Sequence, residues 1–306
     1  MNFLKTLFKK KPIGGAGLVI LVFFVILAIA SDWIAPYPMV NGVMQSDVIN
    51  SLSPSTPEHL FGTDSLGRDV LSYMIYGART SVILGITCTV LTTIVSVVIG
   101  VSSAVIGGKF DLILQRFVDG WTCIPGILLL LIIMGMLGNG ILQLIFAISI
   151  PMGIAGSRMI RSAAISVKDS GYMKMSSILG APSWWKMIKH VVPNIMPLIL
   201  MGLAGSLGGI ILMEASMNFL GYGVEPGTPS WGYLITDQGR SYMYQAPWLA
   251  VYPGIAISLM VFASAMFGDA VRDILDPRLK GGVGSYSSEK IEKQVARMLG
   301  GRALIK

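Results

Sequence analysis

The sequence predicts an all-α integral membrane protein with six transmembrane helices. Of its 306 residues, 53% are hydrophobic and only 13% are charged, whereas soluble domains carry about 25% charged residues. The mean hydropathy is +0.70. A helix needs roughly 20 apolar residues to cross the hydrocarbon core, where every backbone polar group must be bonded internally. The charge-free runs that satisfy this length are 12–31, 80–108, 120–157, 191–213 and 241–268.

The run 120–157 is too long for one crossing, and its Leu-Gly-Asn-Gly sequence at 137–140 provides a break. We therefore expect two helices in this run and six crossings in total, with both termini on one side of the membrane. If that side is cytosolic, twenty Lys and Arg residues lie inside and three lie outside, as the positive-inside rule requires. The net charge of +7 thus reflects topology, and it requires no nucleic-acid partner.

The sequence divides into four segments. Residues 1–35 contain a basic cytosolic tail and the first helix, which is longer than the roughly 7–15 apolar residues of a signal peptide. Residues 36–79 form a polar extracytoplasmic segment. Residues 80–272 contain the other five helices, with a cytosolic loop at 160–192. Residues 273–306 form a second basic cytosolic tail.

The most informative part of that loop is its second half, residues 172–193, which is both basic and rich in Met, Ile and Trp. The sequence Gly180-Ala181-Pro182 predicts a hinge between two short helices. An exposed apolar patch rimmed by charge is typical of a protein interface, where Met and Trp are favoured. This pattern favours a knuckle through which a soluble motor transmits force into the membrane helices. The alternative is an interfacial helix that rests on lipid headgroups.

Two acidic residues and a proline in or near the membrane runs are candidates for a translocation path or gate. Asp119 follows Arg116 at the i,i+3 spacing of an ion pair on one helix face, so the alternatives are an ordinary ion pair and a role in gating. Glu214 lies late in the fifth helix, where an acidic residue faces the bundle interior or a water-filled path. A packing hydrogen bond is its alternative role. Pro125 interrupts the third helix.

Catalytic chemistry is not expected of this chain. His59 and His190 lie on opposite sides of the membrane, which excludes a zinc site built from them. There is no GxxxxGK[ST] loop, so the chain does not itself bind and hydrolyse ATP. Cys88 and Cys123 lie within helices as small apolar residues, without the spacing of a metal site or a disulfide framework. We therefore expect no cofactor and no metal bound by this chain.

Six motifs occur in order along most of the chain: FGTDSLGRD at 61–69, YGARTS at 76–81, NFLGYGV at 218–224, TPSWG at 228–232, APW at 246–248 and GDAVRDILDPRL at 268–279. Together they resemble the C-type permease subunit of dipeptide, oligopeptide and nickel ABC importers. The resemblance covers about residues 12–280 and leaves out the tail that follows.

This resemblance implies a type I importer fold in a prokaryotic plasma membrane. It implies a second, B-type permease subunit, two cytosolic ABC ATPases that use ATP, an extracytoplasmic substrate-binding protein and surrounding membrane lipid. Transport would follow alternating access, with substrate passing between the paired permeases. Residues 36–79 and 220–247 would then face the binding protein.

The 172–193 segment is similar to the ATPase-coupling loop of that family. Gly180 matches the family's glycine, and Pro193-Asn194 matches its closing pair. Lys174-Met175-Ser176 stands where the family has Glu-Ala-Ala, so a basic residue replaces an acidic one. The residues that the resemblance implies for ATPase coupling are Tyr172, Lys174, Met175, Ser176, Leu179, Gly180, Ala181, Trp184 and Lys186.

Three alternatives remain open from the sequence. Within the same family, the substrate is a di- or oligopeptide, or else nickel or a metal–opine chelate. Outside it, an ion-driven secondary transporter would require inverted repeats and intramembrane ion sites. No repeat is found, and Glu214 alone fits the second requirement. The third alternative is a membrane scaffold without a transport role.

Overall fold

The computed structural model describes residues 3–275, except residues 41 and 226. From position 276 onward, the predicted tail 273–306 and the end of the last motif lie outside the described residues. The main helices are α1 (Phe3–Lys10), α2 (Pro12–Ile29), α3 (Val70–Ile106), α4 (Gly108–Thr122), α5 (Gly126–Leu137), α6 (Ile141–Lys168), α7 (Gly171–Ile178), α8 (Ser183–Phe219) and α9 (Trp248–Leu275). Shorter helical turns occupy Ser31–Ile34, Val48–Asn50, Trp231–Tyr233 and Leu234–Gly239.

Five helices, α2, α3, α6, α8 and α9, are long and apolar enough to cross a membrane, while α4 and α5 meet at a 90° bend. Hydrogen bonds show that α3 and α6 are parallel. Thr92 donates to the Ser149 carbonyl at 3.5 Å, and Ser96 donates to the Gly153 carbonyl at 2.8 Å, with the same sequence separation. Since both helices run in one direction, the α4–α5 pair must return the chain across the bundle. The pair therefore forms one crossing, and the predicted six crossings are confirmed.

The second crossing begins earlier than predicted, at Val70 rather than at residue 80. Asp69 caps this helix, and its carboxylate accepts hydrogen bonds from the Ser72 backbone and hydroxyl at 2.7 Å. The charge of Arg79 led the sequence analysis to leave these residues outside the helix. In the structure Arg79 is an internal helix residue that pairs with Asp32 at 2.6 Å. The polar outer segment is correspondingly shorter.

The apolar run 120–157 contains two breaks instead of one. The predicted break is confirmed, because α5 ends at Leu137 and α6 begins at Ile141. A second break separates α4 from α5 at residues 123–125. Pro125 stands immediately before α5, where its missing N–H costs no helical hydrogen bond. As predicted, this proline interrupts the helical run.

Small residues bring the remaining helices close together. A Cβ on Gly268 in α9 would lie 2.9 Å from the Cα of Gly205 in α8. A Cβ on Gly17 in α2 would lie 2.6 Å from the carbonyl oxygen of Ala263 in α9. Without a hydrophobic driving force between helices in lipid, such close backbone approach is a main source of association. The helix termini define the two ends of the bundle. We call the end that holds the C-termini of α3 and α6 the N-terminal face, and the end that holds the start of α3 and the end of α8 the opposite face.

Candidate functional site

The predicted hinge lies at the N-terminal face, between α7 and α8. Gly180 has φ = +79°, in the left-handed region that glycine adopts at little cost. Its N–H donates to the Ser177 carbonyl at 3.1 Å, and the Ala181 N–H donates to the Ser176 carbonyl at 3.1 Å. These bonds satisfy carbonyl groups at the end of α7, as glycine-terminated helices commonly do. The chain therefore turns sharply at the expected residues.

The second helix of this loop is not short, contrary to prediction. Ser183–Lys186 continues through a π-helical turn, Met187–Val191, into the fifth crossing. The helix of the fifth crossing thus begins at Ser183, before the predicted run 191–213. Pro193 cannot donate a backbone hydrogen bond, and a local change in helical pitch lets the helix pass through this position. The knuckle consists of one short helix, a turn, and the projecting end of a transmembrane helix.

Apolar side chains on the knuckle point away from the bundle. Ile178 and Leu179 are each 78% exposed, and Trp184 is 63% exposed. Met175 and Tyr172 are also exposed, as is the Lys174 side chain. We call these six residues the knuckle surface. Other predicted coupling residues lie elsewhere: Ser176 is buried, Ala181 and Lys186 are half-buried, and the Lys186 ammonium donates to the Ser177 hydroxyl at 3.1 Å.

The inner side of the knuckle is held firmly by the bundle. Met173 is only 3% exposed and belongs to the same apolar cluster as Val101 of α3, Ile160 of α6 and Val191 of α8. Near it, the Trp185 and His190 rings meet edge to face at 4.9 Å between centroids. Met173 therefore packs α7 into the same buried cluster as residues of three transmembrane helices.

Asp119 lies in the last turn of α4, next to the bend in the third crossing, and has two arginine partners. The expected i,i+3 pair with Arg116 is present at 3.8 Å. The shorter contact, 2.6 Å, is with Arg158 of α6, which also donates to the Thr122 hydroxyl at 2.7 Å. Asp119 therefore links α4 to α6. Beside the bend, a cavity of about 220 Å³ is lined by Trp121, Met213 and neighbouring residues of α5 and α6.

A second link between α4 and α6 was missed by the sequence analysis. The Arg161 guanidinium donates to both Asp111 oxygens, at 2.5 and 2.7 Å, and the Ser103 hydroxyl also bonds this carboxylate. The two side chains are only 29% and 20% exposed. The partners are fifty positions apart, so no local spacing pattern could have identified the pair.

Glu214 is 1% exposed and lies inside the bundle near the opposite face. Its Oε1 accepts a hydrogen bond from the Asn218 amide at 2.7 Å. The Asn218 side-chain oxygen, Oδ1, in turn accepts from the Val224 backbone N–H at 3.2 Å. The carboxyl group thus helps to fasten the loop after α8, which is the packing role considered from the sequence.

At the opposite face, the FGTDSLGRD motif packs against the loop 220–247. The Ser65 backbone N–H donates to the Gln238 side-chain oxygen at 3.2 Å. The Trp248 indole, directly after the loop, donates to the Thr63 carbonyl at 3.2 Å, and the Trp231 indole of the loop donates to the Met74 carbonyl of α3 at 2.9 Å. These contacts combine two segments that are distant in sequence into one surface. The sequence analysis assigned the same two segments to a common partner.

Within this surface, Tyr37, His59 and Asp69 form a stacked and hydrogen-bonded group. The rings of Tyr37 and His59 stack at 4.9 Å, and the His59 Nδ1 lies 3.0 Å from the Asp69 carboxylate. Burial raises the pKa of the Tyr37 phenol, and the nearby Asp69 carboxylate raises it further. Among the described residues, no group of three or more His, Cys, Asp or Glu side chains is arranged to hold a metal ion.

Comparison with known families gives two matches that together span most of the chain. Residues 96–281 match the family described as binding-protein-dependent transport system inner membrane component. Residues 6–54 match the N-terminal TM domain of oligopeptide transport permease C. The chain belongs to the binding-protein-dependent transport permeases. It is a permease of the ABC transporter class, as the sequence motifs indicated.

Individual relatives carry names from peptide transport. The permease is 35% identical over 265 residues, 86% of this chain and 87% of the relative, to a putative peptide transport system permease protein of Brucella suis biovar 1 (strain 1330). It is 32% identical over 274 residues, 90% of this chain and 89% of the relative, to the glutathione transport system permease protein GsiD of Shigella dysenteriae serotype 1 (strain Sd197).

These relatives confirm three predictions about the permease. It is an all-helical, multi-pass inner-membrane protein. It belongs with permease components and not with catalytic enzymes. Its family is that of ABC importers, so the chain is assigned neither to the secondary transporters nor to membrane scaffolds.

Proposed function

We propose that the permease forms one half of the translocation path of an ATP-driven peptide importer, together with a second permease subunit. Two cytosolic ATPases bind the knuckles, and an extracytoplasmic binding protein delivers the substrate. Peptides are favoured over nickel or a metal chelate because the relatives described above are named for peptide and glutathione transport. The chain itself binds neither ATP nor a metal.

The knuckle surface is the observation that carries this proposal. It presents Ile178, Leu179 and Trp184 to the outside of the bundle, at a point where Met173 ties α7 to three crossings. A soluble partner that grips such a surface can move the transmembrane helices as one body. Lys174 is exposed, and the resemblance to the coupling loop implies a glutamate at its position in that family, so we expect an acidic position in the matching ATPase groove.

The surface for the second permease is proposed to include one face of α8. A Cβ on Gly202, Gly205 or Gly209 would have no described residue of another element within 4 Å, and Leu200 and Leu212 are exposed on the same helix. Open small residues permit the close approach of another helix. With the bent α4–α5 crossing and its adjoining cavity, this face supplies one wall of the translocation path. Asp119 and Pro125 at the bend support its gate.

The orientation follows from charge. The N-terminal face, with the knuckle, is proposed to be cytosolic, because the positive-inside rule places most of the Lys and Arg residues there. The opposite face, built from the FGTDSLGRD motif and the loop 220–247, then receives the binding protein. Glu214 and Asn218 lie directly beneath this loop and hold it to α8.

Site-specific crosslinking tests the proposal. Leu179→Cys, in a Cys123→Ser background that removes the one exposed native cysteine, is expected to crosslink to an ATPase subunit in native membranes. Leu66→Cys, which is exposed on the opposite face, serves as the matched control and is expected to crosslink to the binding protein. Mass spectrometry of the purified complex identifies the partners. An absence of any ATPase adduct at position 179 would contradict the proposed coupling.

A further inference from the structure

A groove runs along the bundle between α2 and α9. It consists of two adjoining cavities of about 480 and 440 Å³, and both are lined by Phe262 and Met266. On α9 the lining positions include Val251, Ile255 and Asp273 and recur every three or four residues. They therefore form one face of the helix. The two cavities thus adjoin at Phe262 and Met266 and lie along one face of α9.

Charge is confined to one end of this groove. The cavity at the N-terminal face is lined by Lys10, Lys11, Asp269 and Asp273. The other cavity is lined by apolar residues together with Ser258. A polar entrance followed by an apolar channel matches the two parts of a phospholipid better than it matches a helix of a partner protein.

The helix α1 places the charged end at headgroup level. Its exposed Phe3, Leu4 and Phe8 accompany the exposed Lys5 and Lys9. Such an amphipathic helix lies in the interfacial plane with its apolar side chains in the acyl boundary. The residue that follows, Lys11, and the end of α9 at Asp273 are joined at 2.5 Å. The entrance of the groove therefore lies at the depth of the phosphates and headgroups of the membrane lipids.

The depth of the N-terminal cavity fits one leaflet. From Asp273 to Phe262 the helix rises roughly 16 Å at about 1.5 Å per residue. This is about half of a hydrocarbon core of roughly 30 Å. An acyl chain can follow Ile13, Ala265 and Met266 over this depth and continue into the second cavity.

Counting only residues that the structure describes, the entrance offers one free cation and one free carboxylate. Lys11 and Asp273 neutralise each other at 2.5 Å. In the described part of the chain, Lys10 and Asp269 line the same cavity without an ion-pair partner. We propose that this cleft binds phosphatidylethanolamine, with Lys10 at the lipid phosphate and Asp269 at the primary ammonium. The site is specific because the headgroup must supply both a negative oxygen and N–H donors within reach of the two side chains.

Native mass spectrometry of the purified transporter complex tests this inference. The complex is titrated with phosphatidylethanolamine, phosphatidylcholine and phosphatidylglycerol that have identical acyl chains. Phosphatidylcholine lacks ammonium N–H groups, and phosphatidylglycerol lacks the ammonium altogether. We expect phosphatidylethanolamine to bind roughly tenfold more tightly than either. Equal binding of the ethanolamine and choline lipids, or a preference for the glycerol lipid, would overturn the assignment.

Variants locate the site. Lys10→Ala and Asp269→Asn are each expected to weaken phosphatidylethanolamine binding by roughly fivefold to tenfold. Lys9→Ala is the matched control, since Lys9 is an exposed cation of α1 that does not line the cleft. Ala265→Phe fills the apolar part of the cleft and should weaken binding of all three lipids. If Lys10→Ala and Lys9→Ala have the same effect, the lipid binds to α1 by general charge attraction and the proposed site is wrong.

Discussion

At the scale of single residues, Gly180 carries the sharpest prediction about coupling. Proline requires φ near −65°, whereas Gly180 has φ = +79°. Gly180→Pro should therefore distort the knuckle and abolish transport, while the protein still inserts into the membrane. Substrate uptake and the amount of membrane-inserted protein are the two measurements.

The control for this variant lies in the same loop. Gly171→Pro introduces proline at the first position of α7, after Ser170 in the extended conformation, where proline is tolerated. We expect uptake close to that of the wild type. Normal uptake by Gly180→Pro would exclude a coupling role for the turn.

Lys174 gives a second prediction at this scale. Its exposed position on the knuckle surface predicts that Lys174→Glu alters the coupling of ATP hydrolysis to transport, because a charge reversal at an interface disfavours the original partner. Substrate affinity should change little. Lys109→Glu makes the same charge change at another exposed site of the N-terminal face and should leave coupling intact. Substrate-stimulated ATP hydrolysis distinguishes the two, and equal effects would count against a special role for Lys174.

At the scale of helices, α4 is tied to α6 by two ion pairs of different burial. Asp111–Arg161 is mostly shielded, whereas both partners of Asp119–Arg158 are about half exposed. An exposed pair contributes about 0–1 kcal/mol, and a hydrogen bond to a charged group roughly 1.5–3 kcal/mol when shielded from solvent. Asp111→Asn should therefore lower the thermal unfolding temperature more than Asp119→Asn does. Equal shifts for the purified proteins would contradict this ranking.

The same helices show where sequence reasoning succeeds and where it fails. Local chemistry predicted the break at residues 137–140, the interruption at Pro125 and the turn at Gly180, because glycine and proline restrict the backbone by themselves. The starts of α3 and α8 were misplaced. Arg79 lies within α3 because it pairs with Asp32 of another segment, and α8 continues through Pro193 because a π turn precedes it. Counting charges along the sequence reveals neither the ion pair nor the π turn.

Contacts between distant residues were the other omission. The Asp111–Arg161 pair joins different helices, so it follows from packing and not from a repeating pattern. The exposure of Ile178 and Leu179 was anticipated because an apolar segment in a charged loop has no bundle interior to enter. The near-complete burial of Ser176 was not anticipated, since only the helix phase in the folded knuckle determines which side chains face inward.

At the scale of the whole molecule, the proposed orientation can be tested by labelling intact cells with a membrane-impermeant maleimide. In the Cys123→Ser background, Leu66→Cys should react, and Leu179→Cys should react only after the membrane is opened. Both side chains are exposed in the structure, so the difference reports sidedness and not burial. The reverse pattern would place the N-terminal face outside and contradict the proposed ATPase contact.

The parallel pair α3–α6 connects the two ends of the transporter. Its hydroxyl-to-carbonyl bonds at Thr92 and Ser96, and the close approach of Gly100 to Ser157, fix the axial register of the two helices. They therefore form a rigid lever, with the knuckle at one end and the docked Trp231 at the other. In the proposed complex, a loaded binding protein and the closing ATPases would therefore act on the same pair of helices. If the contact between α3 and α6 were loosened, both partners would stay bound, and the ATPases would hydrolyse ATP without regard to substrate.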